Sequence, residues 1–299
     1  MRDQTPSRTA AWVAAARAAG MLLPDEVRLA DDPYGAAFAS TRLQGLLDRA
    51  RHRGPSAAVT IPGLGEWVLY MQVRTKVLDD VVRDFAGEGG RQLVILGAGY
   101  DCRALRLPEL EDAAVFEVDH PATQGHKQIT LERLGARSPA RYIHWNFETR
   151  PLSQLPAALA EAGHDPAAPT LTLWEGVTMY LTEPTIDASV RTIADYSAPG
   201  SGLALTYFNK ARIQRPSLAT RALASLVARV GEPWRWGWDP AELPAWMAER
   251  GFQVTRDVAL ADAARALLPE ELARRVDDAD RRVAIVTRES IALASRRPA

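Results

Sequence analysis

Along the chain the spacing of apolar and polar positions changes period several times, and those changes lay out its elements. Thr9–Gly20 reads as a helix closed by Gly20. Asp31–Arg51 reads as a second, with apolar positions at Tyr34, Phe38, Leu43, Leu46 and Leu47. Pro55, Pro62, Gly63 and Gly65 then mark a loop. In Tyr70–Ala86, Val77, Leu78, Val81, Val82 and Phe85 recur at helical spacing, and Gly87, Gly89 and Gly90 end the run. Arg74, Thr75 and Lys76 fall near the start of that predicted helix, where basic groups oppose the helix dipole. Arg74 or Lys76 is therefore expected to have another task, such as pairing a carboxylate.

From Gln92 onward, short apolar runs alternate with helical stretches. Strands are predicted at Gln92–Leu96, Val115–Asp119, Arg141–Trp145, Thr170–Trp174 and Leu203–Phe208. Helices are predicted between them at Asp101–Leu107, Ala122–Gly135, Leu152–Gly163 and Thr182–Tyr196, the last with Thr182 as N-cap. Unbroken apolar runs suit parallel strands buried on both faces. Regular β-α alternation implies an α/β fold with ligands at the carboxyl ends of the strands. Beyond the fifth strand, Ala211–Gly231 holds a helix, Trp234, Trp236 and Trp238 crowd a loop, and Asp239-Pro240 opens a helix ending at Gly251. Phe252–Val258 and Arg282–Arg288 read as two final strands with a charged, alanine-rich segment between them, which predicts an antiparallel final strand.

Bulk properties narrow the class. At 299 residues and 47% hydrophobic, the chain can bury one large core with a lid. A net charge of -1 lacks the basic balance of a nucleic-acid binder. A single cysteine, Cys102, leaves neither an internal disulfide framework nor a cysteine-based zinc site, and no histidines are spaced as a metal pair. There is no apolar run of spanning length and no leader signal, and Ala11–Gly20 is short and interrupted by Arg17. The expectation is a soluble cytoplasmic protein with no nucleic-acid, membrane or metal partner. Oligomeric state is left open.

The chemistry begins at Leu96-Gly97-Ala98-Gly99, a glycine turn directly after the first strand. The second strand ends in Glu117-Val118-Asp119. Strand, glycine turn, helix and acidic strand end is how Rossmann-like folds hold a nucleoside and its ribose hydroxyls. The third glycine of the dinucleotide fingerprint is missing, and no Tyr-x-x-x-Lys hydride site is present. An NAD(P)-dependent oxidoreductase is thus the weaker rival. Of the histidines, His120 is expected to be structural or close to the cofactor, His126 a helix-face residue and His144 a core or rim residue. His52 and His164 read as surface.

Several stretches together resemble the leucine carboxyl methyltransferase family of S-adenosylmethionine (SAM)-dependent O-methyltransferases, which includes many bacterial small-molecule enzymes. They are Arg74-Thr75, Leu96–Arg103 with Leu107-Pro108, Phe116–Pro121 with Lys127, Trp174–Leu181, and Asp239-Pro240 with Glu249–Phe252, spread over about residues 70–255. The resemblance implies a class I methyltransferase fold, a Rossmann-like seven-stranded sheet, mostly parallel with one antiparallel strand, and a helical lid. Residues 1–70 would form the lid and 71–299 the SAM-binding core, with a cap insertion at about 210–238. It also implies that Arg74 holds the methionine carboxylate of SAM and that Gly97 and Gly99 lie beneath methionine and ribose. Asp119 would accept from the ribose hydroxyls, and Glu175 would lie near the amino group. Where the family usually has Asp-Leu or Asp-Phe, this chain has Asn146-Phe147. The Asn carbonyl can still accept from the adenine amino group, without charge assistance. Cys102, where Thr or Ser is more usual, reads as a buried inert thiol.

Methyl transfer is an in-line displacement, so alignment and exclusion of water carry most of the catalysis. Tyr180 and Tyr207 are candidates for positioning the acceptor, and Trp234, Trp236 and Trp238 for walling its pocket. The expected activity is methyl transfer to a carboxylate or hydroxyl of a small molecule in secondary metabolism, with S-adenosylhomocysteine as product. The alternative is a protein C-terminal carboxyl methyltransferase, which would need an open groove.

Overall fold

Seven strands form one sheet in the order β3-β2-β1-β4-β5-β7-β6. They are β1 Gln92–Leu96, β2 Ala114–Asp119, β3 Arg141–His144, β4 Thr170–Trp174, β5 Gly202–Phe208, β6 Phe252–Ala259 and β7 Arg281–Arg288. The computed structural model describes residues 6–54, 64–216, 221, 233–276 and 280–288. β1 pairs in parallel with β2 and β4, β2 with β3, and β4 with β5. β7 runs antiparallel between β5 and β6, the antiparallel final strand the sequence predicts. β1 and β4 match their predicted runs residue for residue.

The helices are α1 Arg8–Gly20, α2 Thr41–Arg53, α3 Leu64–Gly87, α4 Arg103–Arg106, α5 Pro121–Arg133, α6 Leu155–Glu161 and α7 Glu183–Tyr196, then α8 Lys210–Gln214, α9 Leu243–Ala248, α10 Leu260–Leu267 and α11 Glu270–Ala273. Leu93 and Ile95 of β1 join a core with α1, α3 and α10, while Val94 and Leu96 join one with α6, α7 and α9. A central strand covered on both faces has no polar side to show, which is why its sequence is an unbroken apolar run. The chain reverses direction across the sheet between β1 and β4, where ligands of open α/β sheets bind.

Several predicted boundaries move. The run Asp31–Arg51 is not one helix: a short 3-10 turn spans Gly35–Phe38, and α2 starts at Thr41 after an extended Ser40. Phe38 turns inward there to stack on Tyr100, with ring centroids 4.4 Å apart. α3 begins at Leu64, so Gly65 lies in a helix rather than a loop, and Arg74, Thr75 and Lys76 fall within its length instead of at its start. The dipole argument therefore does not apply to them, and a division at residue 70 falls inside this helix. Leu152–Gly163 splits into a 3-10 turn at Leu152–Gln154 and α6. Thr182 stands at the N-cap of α7, but its hydroxyl pairs with that of Thr185 at 2.9 Å. Helix α9 starts three residues after Pro240, because Asp239 uses its carboxylate on the Ala241 N–H in a preceding turn. Of the helix predicted over Ala211–Gly231, α8 covers the beginning, and 217–220 and 222–231 lie outside the described residues. Among the described residues no helix is long and apolar enough to cross a membrane.

Candidate active site

The site forms where β1, β2 and β4 end. Gly97 and Gly99 both take positive φ, +68° and +51°, which lets the chain turn back over the strand ends without side-chain strain. The Gly97 N–H donates to Val118 O at 2.8 Å, tying the turn to β2. The Gly99 N–H donates to one carboxylate oxygen of Asp119, and the His120 N–H donates to the other at 2.5 Å. Burial pushes the Asp119 pKa up, and these two main-chain bonds oppose the shift. Space around the turn is tight: a Cβ on Gly97 would lie 2.6 Å from Val177 Cγ2, and one on Gly99 3.1 Å from Ala10 Cβ. Helix α1 thus lies directly on the glycine turn.

Behind the turn lies a buried charge network. Arg74 of α3 meets Glu175, just past β4, with Nη2 and Oε1 2.8 Å apart. Arg103 donates to Glu175 Oε2 at 2.8 Å and to Asp79 Oδ1 at 2.8 Å, and also pairs with Asp101. Arg106 pairs with Asp79 as well. From α1, Arg17 donates to Asp32 and to the Tyr100 carbonyl, each at 2.7 Å. Burial pushes the Glu175 pKa up, but Arg74, Arg103 and Arg17 outweigh it and hold the carboxyl well below its ordinary value. The Arg74–Glu175 pair is close but poorly aligned: Arg74 Nε and Glu175 Oε1 have no hydrogen-bond partner among the described residues. Buried polar atoms left this way need an explanation.

The other expected residues divide into two groups. Trp145 N–H donates to Asp119 O, which sets Asn146-Phe147 beside the end of β2. Asn146 Oδ1 accepts from the Glu148 N–H at 2.9 Å, and the Phe147 ring is exposed. Tyr180 ends a 3-10 turn, Thr178–Tyr180, five residues beyond Glu175. That turn meets the tryptophan loop, whose Arg235 N–H donates to Met179 O at 2.7 Å. Tyr207 is engaged with other residues than Arg74 and Glu175. Its hydroxyl donates to Asp257 Oδ2 at 2.8 Å, and its ring packs edge-on against Trp238. Trp236 packs on Trp238, and Trp234 on Phe208.

The histidines take structural positions. His120 caps α5 through Nδ1, which accepts from the Ala122 N–H, and His126 Nδ1 bonds the Tyr100 hydroxyl at 2.9 Å. His144 bonds Gln124 at 2.7 Å. His164, expected at the surface, is buried and bonds Thr170 Oγ1, because its loop folds back under β4. Cys102 is buried, and burial pushes its thiol up to about 12. Sequence reasoning assigned no role to Asp101 or Arg103, although both stand inside the quoted motif. Asp79, Asp32 and Arg17 gave only one hint, a lone arginine in an alanine-rich helix. Among the described residues no cluster of His, Cys, Asp or Glu is arranged to hold a metal.

This strand order, with its glycine turn and two acids at the carboxyl edge, defines a class I methyltransferase fold. A crystal structure from Thermobifida fusca, described as a methyltransferase, superposes with a TM-score of 0.56 at 20% identity, covering 90% of this chain and 96% of the other. Identity that low speaks for the fold alone. The family follows from sequence. The model of the leucine carboxyl methyltransferase family matches residues 10–194. A relative from Mycobacteroides abscessus is 36% identical over 272 residues, covering 86% of this chain and 84% of its own length. Another from Mycolicibacterium smegmatis is 37% identical over 195 residues, covering 62% of this chain but only 61% of the relative. Both carry the name of an S-adenosyl-L-methionine-dependent methyltransferase. This chain belongs to the leucine carboxyl methyltransferase family. The match reaches further toward the N-terminus than the motifs do and stops before Asp239-Pro240.

Proposed function

We propose that the protein is a cytoplasmic O-methyltransferase that moves the methyl group of SAM to a carboxylate or hydroxyl of a small molecule of secondary metabolism. The observation that carries this reading is the buried, poorly aligned Arg74–Glu175 pair at the ligand-binding edge of the sheet. The methionine end of SAM is a zwitterion. Its carboxylate suits Arg74 and its ammonium suits Glu175, so binding would replace one poorly aligned pair by two charge-assisted ones. Asp119 spends one lone pair per oxygen on Gly99 and His120. An ionised carboxylate has about four acceptor sites, which leaves capacity for ribose hydroxyls. The exposed Phe147 ring supplies a surface for the base, with Asn146 beside it as the candidate partner of the adenine amino group. Bound SAM supplies the electrophilic methyl group.

The chain's own residues would position the acceptor and exclude water. Tyr180 and the tryptophan loop bonded to Met179 follow Glu175 and supply the residues this reading gives to the acceptor. In this reading Tyr180, which ends a turn five residues beyond Glu175, positions the acceptor. A carboxylate acceptor, already ionised at neutral pH, needs no base. The structural engagement of His120, His126, His144 and His164 supports that choice over a hydroxyl. The lid pressed onto Gly99 supports a small acceptor over a protein tail. Calorimetric titration with SAM, S-adenosylhomocysteine and NAD tests the reading. Saturable binding of both SAM compounds is expected, and NAD binding in their absence overturns it.

A further inference from the structure

We infer that Lys127 is a positioning residue that holds the cofactor loop from behind, and that its buried pair with Glu117 serves to keep an ammonium group at that point. The inference rests on the cofactor site proposed above. Lys127 of α5 and Glu117 of β2 are both fully buried. Lys127 Nζ pairs with Glu117 Oε2 and also donates to the main-chain carbonyl of Asp101. That carbonyl belongs to the turn that carries Gly99. The turn is closed by the Asp101 N–H donating to Ala98 O at 2.8 Å.

The consequences run in two directions from Asp101. Backward along the chain, the held turn presents the Gly99 N–H to Asp119. Forward, the Asp101 carboxylate accepts from the Arg103 N–H at 2.7 Å and from its guanidinium, which in turn donates to Glu175. One ammonium group thereby fixes both acids assigned to SAM. A contribution to stability alone is a weak explanation. Taking two charges out of water costs several kcal/mol per ion, and apolar replacement of a buried pair is often neutral or stabilising. The pair is also incompletely satisfied, since Glu117 Oε1 has no hydrogen-bond partner among the described residues. The ammonium's second bond, to the loop, is what an apolar pair could not supply.

The test compares the double variant Glu117→Met/Lys127→Met, which removes both charges at similar volume, with Glu117→Gln, which keeps Lys127. S-adenosylhomocysteine binding is read by calorimetry, loop order by amide hydrogen exchange and folding by thermal unfolding. The double variant is expected to unfold cooperatively near the wild-type temperature. Its dissociation constant should rise about tenfold or more, the loss of one charge-assisted bond. Amides of Gly99–Arg103 should exchange faster, with those of β1 unchanged, a split that general loosening would not give. Glu117→Gln should lose clearly less affinity. Wild-type affinity and loop protection in the double variant overturn the inference, and so does an equal loss in Glu117→Gln. If wild-type protein itself fails to bind, the cofactor reading has failed instead.

Discussion

Replacing Glu175 by Gln keeps the side chain's shape and removes its charge. The native carboxylate lies 2.8 Å from both Arg74 and Arg103. It completes a network in which four guanidinium groups, of Arg17, Arg74, Arg103 and Arg106, meet four carboxylates, of Asp32, Asp79, Asp101 and Glu175. The variant leaves one buried cation uncompensated. Breaking such a pair costs about 3–5 kcal/mol. The amide oxygen still accepts from arginine, so the lower figure, about 3 kcal/mol, is the appropriate one. Unfolding entropy near 2.1 cal/mol/K per residue over the whole chain converts this to a Tm lower by roughly 5 °C.

Ligand binding gives a second readout. If Glu175 receives the SAM ammonium, the loss of charge assistance weakens S-adenosylhomocysteine binding by about 1.5–3 kcal/mol, a rise in Kd of roughly 10- to 150-fold. The pH dependence gives a third. Glu175 has a folded pKa depressed below the ordinary value of 4.5. Its stabilisation is therefore complete above that value and is lost as pH falls toward the folded one. Between pH 4.5 and 3.5 the stability gap to the Gln variant should shrink by about 1 kcal/mol, roughly 2 °C. Differential scanning calorimetry at pH 7, 4.5 and 3.5 with parallel titrations checks all three. Equal Tm values at neutral pH would refute the network argument, and a lower Tm with unchanged affinity would refute the ammonium site.

Asp119→Ala should weaken S-adenosylhomocysteine binding by about 1.5–3 kcal/mol in calorimetry, and unchanged affinity would mean that the ribose lies elsewhere. Gly97→Ala forces a side chain into positive φ with its Cβ 2.6 Å from Val177 Cγ2. It should cost at least about 1–3 kcal/mol in urea unfolding, more than Gly99→Ala, whose nearest contact is 3.1 Å. Burial pushes the Glu117 pKa up to about 7, against the pull of Lys127. For a raised acid the stabilising contribution is complete below the ordinary 4.5 and lost as pH rises through about 7. Glu117→Gln should thus gain on wild type across that window, by about 3 kcal/mol at most, and a constant offset between pH 4.5 and 7 would refute the assignment.

Much of the fold is legible because sheet burial writes itself locally. β1 and β4 are central strands, and their apolar runs coincide with the observed elements. Boundaries failed where local signals conflict with packing. Gly65 reads as a loop residue yet sits in the first turn of α3, and Phe38 looks like a helix-face residue yet leaves its helix to stack on Tyr100. The position of Arg74 was misread for the same reason, although a carboxylate partner for it was expected from its chemistry.

The charge network was illegible for a different reason. Its partners are far apart in sequence: Arg17 and Tyr100 by 83 positions, Arg103 and Glu175 by 72, Arg103 and Asp79 by 24. No periodicity links such residues, and each alone is an ordinary charged side chain. What joins them is the edge of the sheet, where β1 and β4 lie side by side and their following loops must share one space. Buried there, a cation is tolerable only beside anions, and each arginine fixes the orientation of an acid. Arg17 extends this logic to the N-terminal helix, since the guanidinium carried by α1 acts on the charges of Asp101 and Glu175. Withdrawing α1 would remove the Arg17 guanidinium from the field of Asp101 and Glu175. The electrostatics that order Glu175 therefore also favour α1 held against Gly99, so the orientation of this acid and the seating of that helix draw on the same set of charges.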